Sequence, residues 1–476
     1  MPFSPPNDAG SSAIEAVFSD RPSRLGTVGD VPAAVARRIG GDEILAQALR
    51  PEALEGDLDA VIVQGAEPLR ARAAAGGLTF DRGLAAVRAR LAPRGRVAWT
   101  VPSNERRAAI LAMSRGGWSI RRELGGTSDG GTSDGGTRDG ETTLVARPDP
   151  YLLRPYRAGD EHDILRLFAP SFHATRGLAH WRWKYLDNPW GATRITAARA
   201  PDGKLVAHYA AYPVPMCDGA AEWIALQVGD TMTAPEVRAV GRGPTSLLGR
   251  AARHFYAAFC DDRVAFNYGF NTGNIRRFSE RFVRAEKVED VAYRTRGAEP
   301  PEVAGRRLDV RAVREVGGAF DRFFERVAGV YPLLIRRDAI YLRWRYLDCP
   351  DEPPFLLFSA RRSVGPFRGR LVGWAVFRRR GAMLRWVDAL VDPAEPNVGP
   401  ALLAAAARHP MADTVQGVEA WFPDRPLWWH RTLEDLGFVR RPEPDELALM
   451  CVPHQVGDAA QRLRRAYYTL GDGDLA

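Results

Sequence analysis

The stretch with the clearest chemical character is Asp230-Thr-Met-Thr-Ala-Pro-Glu-Val-Arg238-Ala-Val-Gly241-Arg-Gly243. A strand-like approach gives way to a glycine-bearing loop, and an amphipathic run from Ser246 to Ala258 follows. Strand, glycine loop and helix start, in that order, make an anion cradle. Backbone N–H groups converge there, and the positive end of the helix dipole favours a phosphate. Arg238 and Arg242 add charge. The string R-x-x-G-x-G describes a bare turn as readily as a cradle; its place between a strand and a long helix selects the phosphate. Other chemistry is sparse. Cys217, Cys260, Cys349 and Cys451 are far apart with no CxxC pair, which predicts reduced thiols. His162, His173, His180 and His208 lack metal-ligand spacing, so no metal is expected.

The elements around the loop belong to an internal repeat. His180-Trp-Arg-Trp-Lys-Tyr-Leu-Asp-Asn-Pro-Trp190 recurs as Tyr341-Leu-Arg-Trp-Arg-Tyr-Leu-Asp-Cys-Pro-Asp351. Each copy then carries a glycine with a strand-like stretch (after Gly203; after Gly369), a proline-bearing turn (Pro235; Pro393) and an alanine-rich helix ending near Arg-His (His254; His409). The recurring Trp181, Trp183, Tyr185, Trp344 and Tyr346 could stack on a base or a sugar. Their recurrence in a copy that has lost its loop favours core packing instead.

Ahead of the repeat lie pieces of an α/β unit. Leu58-Asp-Ala-Val-Ile-Val63 and Arg96-Val-Ala-Trp-Thr-Val101 read as strands. Helices are predicted over Asp81 to Leu91, closed by a turn at Pro93-Arg-Gly95, and over Glu105 to Arg115. The Gly/Ser/Thr/Asp tract at 125–143 can bury almost nothing and reads as an expanded hairpin tip between two strand-like flanks. The expected division is 1–149, 150–297, 303–456 and a tail at 457–476.

At Arg238, Gly241 and Gly243 the loop matches R/Q-x-x-G-x-G/A and so resembles the pyrophosphate loop of the GNAT family of acyl-CoA-dependent N-acyltransferases. The resemblance takes in the W-x-W-K-Y-L-D-N-P segment and the D-T-M-T-x-P strand. It covers 151–296, with 309–452 as a degraded second copy. It implies a mixed sheet split open at its fourth and fifth strands, with the acyl-CoA in the split. Met232 and Thr233 would then line the pantetheine arm, and the backbone of Arg238, Ala239, Val240, Gly241, Arg242 and Gly243 would hold the pyrophosphate. Asn274 falls where the family often contacts the cofactor. Asp230, late in the fourth strand, is the proton acceptor this implies for the attacking amine; the competing reading is a structural ion pair with an arginine. The family's tyrosine after Asn274 is missing, so no leaving-group acid is assigned. The usual Leu-Gly-Phe ending is replaced by Phe282-Val-Arg284. The second copy ends well, at Leu433-Glu-Asp-Leu-Gly-Phe438, but places prolines in its loop at Pro393 and Pro396. Proline removes the N–H donors such a loop supplies, so this copy is expected to be non-catalytic.

Residues 54–148 resemble the later half of a class I S-adenosylmethionine-dependent methyltransferase. The glycine motif is represented only by Gly26-Thr-Val-Gly29-Asp30, so S-adenosylmethionine is not expected to bind. The fold expectation is therefore α/β and α+β: a degenerate Rossmann-like methyltransferase-type domain followed by two GNAT-like mixed-sheet domains. The functional expectation is an N-acyltransferase using acetyl-CoA or another acyl-CoA on a small-molecule or amino-sugar amine. The alternatives are a FemAB-like aminoacyl transferase and a non-catalytic binding protein that keeps the GNAT fold.

Composition narrows the partners. The 476 residues carry 66 basic and 58 acidic side chains, a net charge of +8, and 45% are hydrophobic. Only Lys184, Lys204 and Lys287 are lysines, and the arginines are spread from end to end. That reads as a compositional bias and not as a phosphate-backbone surface, so no nucleic acid is expected. With no apolar run of about 18 residues, the expectation is no membrane span and a cytoplasmic location. The tail Tyr467-Tyr-Thr-Leu-Gly-Asp-Gly-Asp474 resembles an ending of such tandem proteins but suggests no chemistry.

Overall fold

The computed structural model describes residues 25–28, 44–48, 58–64, 71–72, 78–79, 81–89, 91–125 and 140–474, except 192, 220, 262, 304–307 and 365–366. Gly29 and Asp30 of the glycine motif, and 126–139 of the Gly/Ser/Thr/Asp tract, lie outside the described residues. The chain forms two compact units. One holds the described residues up to His173 with Ile195–Tyr209 and Thr231–Phe259; the other holds Ala174–Arg194, Ala210–Asp230 and the chain from Cys260.

The first unit opens with β1 (Leu25–Val28), β2 (Ile44–Ala48), β3 (Leu58–Gln64), β4 (Ala71–Arg72), β5 (Leu78–Thr79), β6 (Leu91–Pro102), β7 (Trp118–Gly125) and β8 (Glu141–Pro148). Six of these form a sheet of order β2-β1-β3-β6-β8-β7. β1, β2, β3 and β6 run parallel, and β8 and β7 close it antiparallel. Val61, Ile62 and Val63 are all buried, as in a parallel strand covered on both faces. The expected helix stops at Ala89, and the turn foreseen at Pro93-Arg-Gly95 is instead the start of β6. Leu91 pairs with Leu58, and the register slips before Arg96; such an irregularity admits a proline, which has no ladder N–H to give.

The same unit carries β9 (Leu152–Pro155), antiparallel to β10 (Arg194–Arg199), the start of β11 (Leu205–Cys217), the end of β12 (Glu222–Thr233) and the helix Leu247–Phe259. Leu247, Ala251 and Phe255 recur at one-turn spacing and are buried, the apolar stripe of a helix laid on a core. Ala257 of this helix sits in the core cluster of the N-terminal sheet with Trp99, Met113 and Trp118. Arg253 donates to Ile120 O (3.2 Å), and Arg250 pairs with buried Asp149 (2.7 Å). The N-terminal sheet thus backs the helix that follows the glycine loop.

The second unit contains the rest of β11 and β12, then β13 (Phe266–Asn271), β14 (Glu286–Asp290), β15 (Tyr293–Gly297), β16 (Leu308–Val313), β17 (Leu334–Ile335), β18 (Leu356–Val364), β19 (Phe367–Arg380), β20 (Met383–Val391), β21 (Gly417–Trp421), β22 (Val439–Arg440) and β23 (Ala448–Pro453). β12 meets β13 in parallel at Leu226 and Gln227 and then continues without it. β20 meets β21 in parallel from Met383 to Trp386 and likewise runs on to Val391. Each copy therefore has a sheet that opens between two parallel strands. The copies also exchange strands. β23, from the end of the second copy, pairs antiparallel along all of β13, while β15, from the end of the first, pairs along β21.

Candidate active site

The glycine loop lies in the first unit. A 3-10 turn at Pro235–Val237 leads from β12 into Arg238, and Ala234 N–H is tied to Val206 O (2.8 Å). Gly241 has φ +71°, and a Cβ there would strike the Thr245 carbonyl, so the turn requires glycine. Ser246 Oγ accepts from Gly249 N–H (3.1 Å), the N-cap bond of the helix Leu247–Phe259. Arg238 and Arg242 are exposed. The implied cradle is only partly available. Val240 N–H bonds to Val237 O (3.0 Å) and Arg242 N–H to Thr245 Oγ1 (3.3 Å). The donors outside these turn bonds are the amides of Ala239, Gly241 and Gly243. Thr233 is half-buried and its carbonyl accepts from Arg238 Nε (3.4 Å). Met232 is buried, so its side chain belongs to the core.

The remaining two predicted residues fall in the second unit. Asn274 is exposed on the helix Gly273–Phe282 and accepts from Arg277. Asp230 is buried at φ +50°, a left-handed conformation that non-glycine residues rarely hold and that recurs at functional or over-determined sites. Its carboxylate accepts from Arg176, Lys184 (2.9 Å) and Tyr185 (2.8 Å). Lys184 also pairs with Asp474. A Cβ on Gly229 would strike the Asp474 carboxylate and stand 3.3 Å from Lys184 Nζ. Burial pushes the Arg176 guanidinium down, but Asp230 and Asp474 outweigh it and hold it above its ordinary value. Burial, with the same two carboxylates, raises the Tyr185 phenol far above its usual range. Two cations and two anions therefore balance in a dry nest. With Arg176, Lys184 and Tyr185 all donating to it, the Asp230 carboxylate is engaged as the centre of an ion-pair nest. The ion-pair reading weighed for Asp230 is the geometry found.

The second copy builds the same nest. Trp183 and Trp344 stack at 5.5 Å, and each indole N–H donates to the other's carbonyl (2.5 and 3.0 Å), which sets a local twofold between the helix Leu178–Tyr185 and its counterpart, Ala339–Leu342 continued by a π-turn at Arg343–Leu347. About it Arg176, Lys184, Tyr185 and Asp230 correspond to Arg337, Arg345, Tyr346 and Asp388. Arg337, wholly buried, donates to Asp388 (3.0 Å) and Asp472 (2.6 Å), and Tyr346 donates to Asp388 (2.7 Å). Arg345 donates to the carbonyls of Gly471 (3.0 Å) and Gly473 (2.8 Å). The tail thus supplies one aspartate to each nest, Asp474 to the first and Asp472 to the second. The tail also fills the opening between β20 and β21. Tyr467 donates to Ala389 O (2.9 Å) on β20 and stacks on Phe422 just past β21. Core packing of the W-x-W residues is what these contacts display.

Burial pushes the Asp472 carboxyl up, to about 6, with Arg337 opposing and Asp388 adding. A folded-state pKa above the unfolded value gives stability that is full below about pH 3.8 and lost as pH rises through about 6. The unfolding free energy from urea titrations should therefore fall from pH 4 to pH 7, by up to about 3 kcal/mol from this group, and Asp472→Asn should flatten that part of the slope.

Residues 153–279 match the family model described as the acetyltransferase (GNAT) domain. No curated protein matches the chain. Among solved structures, it resembles a probable N-acyltransferase from Enterococcus faecalis V583 (15% identity, 64% of this chain and 73% of that one, TM-score 0.47). It also resembles a GCN5-related N-acetyltransferase from Anabaena variabilis (11%, 63% and 72%, TM-score 0.47). A third is Saccharomyces cerevisiae N-myristoyltransferase with bound myristoyl-CoA (10%, 63% and 82%, TM-score 0.42). Among the described residues, no helix is long and apolar enough to cross a membrane.

Sequence reasoning missed Arg176, Arg337, Asp388 and Asp472. One signal was available: Asp388 stands before Pro393 as Asp230 stands before Pro235.

Proposed function

We propose that the chain is an acyl-CoA-dependent N-acyltransferase whose chemistry belongs to the first GNAT-like copy. The observation that carries this reading is the GNAT match over 153–279, inside which lies the glycine loop with Gly241 at φ +71° ahead of a Ser246-capped helix. The acyl donor would be acetyl-CoA or another acyl-CoA, its pyrophosphate held by the Ala239, Gly241 and Gly243 amides with Arg238 and Arg242 alongside. An acyl-CoA bound there would supply a thioester whose carbonyl carbon forms the new N–C bond with the amine as the C–S bond breaks, the proton given up by the amine passing to the departing thiolate. In this scheme Asp230 holds Arg176 and Lys184 in place by its charge and is not the group that takes the ammonium proton. The second copy is non-catalytic: its loop carries prolines, and its opening holds the tail. The N-terminal sheet acts as a scaffold. Its parallel run closed by the antiparallel β8 and β7 supports a degenerate methyltransferase-like origin, and its core receives Ala257. An acceptor of small-molecule or amino-sugar type, the absence of a nucleic-acid partner and a cytoplasmic location complete the proposal.

Calorimetric titration of the full chain with acetyl-CoA, S-adenosylmethionine and deacylated tRNA tests it. Saturable binding of acetyl-CoA alone is expected, weakened at least about tenfold by Arg238→Glu. No binding of acetyl-CoA, or tight binding of either other ligand, overturns it.

A further inference from the structure

The second unit has a cleft of about 810 Å³ lying over the paired tryptophans. Its floor includes Trp183 and Trp344, and its walls carry Arg182 and Asp187 from one copy with Arg343 and Asp348 from the other. These are equivalent positions of the repeat, so the cleft has the same local twofold as the tryptophan pair. All four charged residues are exposed. Among the described residues, none of the four side chains makes a hydrogen bond or ion pair. That separates them from their neighbours in the repeat. Lys184 and Arg345, Tyr185 and Tyr346, and Trp183 and Trp344 recur because each fills a place in a buried nest or stack. Among the described residues nothing uses Arg182, Asp187, Arg343 or Asp348 in that way, yet both copies keep the same charge at the same two places although their loops have diverged. The volume is that of a small-ligand site, apolar in the main with a few polar groups to fix orientation.

We infer that this cleft binds a zwitterionic ligand with an apolar body, of amino-acid or short-peptide chemistry. The ligand's carboxylate meets Arg182 or Arg343, its ammonium meets Asp187 or Asp348, and its side chains lie over the tryptophan floor. An arginine fork suits a carboxylate, and an aspartate supplies the anion for the amine. A purely anionic ligand would face two uncompensated aspartates, and a purely cationic one two arginines. The site lies wholly within the second unit, uses neither the glycine loop nor Asp230, and does not depend on the acyltransfer reading.

The test is calorimetric titration of the full chain with leucyl-leucine, free leucine and N-acetyl-leucyl-leucinamide, up to about 10 mM, where even a weak site begins to fill. Saturable binding of leucyl-leucine, with the capped and uncharged analogue at least about tenfold weaker, is the expected result. Binding of free leucine as tight as that of the dipeptide assigns the site to amino acids; binding of the dipeptide alone assigns it to peptides. The double variant Arg182→Glu/Arg343→Glu should lose at least about tenfold in affinity. Asp187→Asn/Asp348→Asn, which keeps size and polarity, should do the same and guards against a folding defect in the first variant. Failure of both zwitterions to saturate overturns the inference, as does affinity unchanged in both double variants or equal binding of the capped analogue.

Discussion

Replacing Arg337 by Met should lower the stability of the second unit by about 3–5 kcal/mol, the cost of leaving a buried charge without its partner. The magnitude follows from what stays behind. Arg337 is wholly buried and holds both Asp388 and Asp472. Without it two carboxylates share a dry site with no cation bonded to both. At about 2–4 °C per kcal/mol for a unit of this size, the melting temperature should drop by roughly 10 °C. A second substitution checks the cause. Asp472→Asn on the Arg337→Met background should recover part of the loss, because it removes one uncompensated charge, whereas a simple packing defect would deepen. Differential scanning calorimetry of the two variants separates these outcomes.

Removing the chain beyond Ala466 should be as damaging. Tyr467, Tyr468 and Leu470 are each at most 4% exposed, and burial of three such side chains is worth about 5–8 kcal/mol before any polar loss. Deletion also withdraws Asp472 from Arg337 and Asp474 from Lys184, and it opens the β20–β21 gap that Tyr467 closes. The truncated chain should melt in a broad, early transition. The same chain with only 475–476 removed should melt like the full-length protein. Equal stability of the two would mean that the tail is an accessory and not part of the core.

The parts of this fold that could be read from the sequence are those set by local pattern. The strands β3, β7 and β8, the helix after the glycine loop and the repeated W-x-W segment follow from periodicity and from identity between the copies. The loop could be read because glycine at a positive φ leaves a mark in the string itself. What could not be read depends on partners far away in the chain. β23 beside β13 and β15 beside β21 are pairings between copies, and an isolated strand pattern does not say which edge it joins. The tail shows the same limit. Its string suggests no chemistry, and only Arg337, Arg345 and Lys184, all more than a hundred residues earlier, make it a buried strap. Asp230 was read from its position as a proton acceptor, with an arginine ion pair as the competing reading; its actual partners, Arg176 and Lys184, are residues no spacing rule connects to it.

The most direct test of the account is the stoichiometry and loop dependence of acyl-CoA binding. Acetyl-CoA titrated into the full chain should fill one site, since the second opening is occupied by Tyr467. Gly241→Val, which puts a β-branched side chain at φ +71° against the Thr245 carbonyl, should weaken that site by at least about a hundredfold while leaving the melting temperature of the second unit unchanged. Two equivalent sites, or affinity untouched by Gly241→Val, would contradict the account.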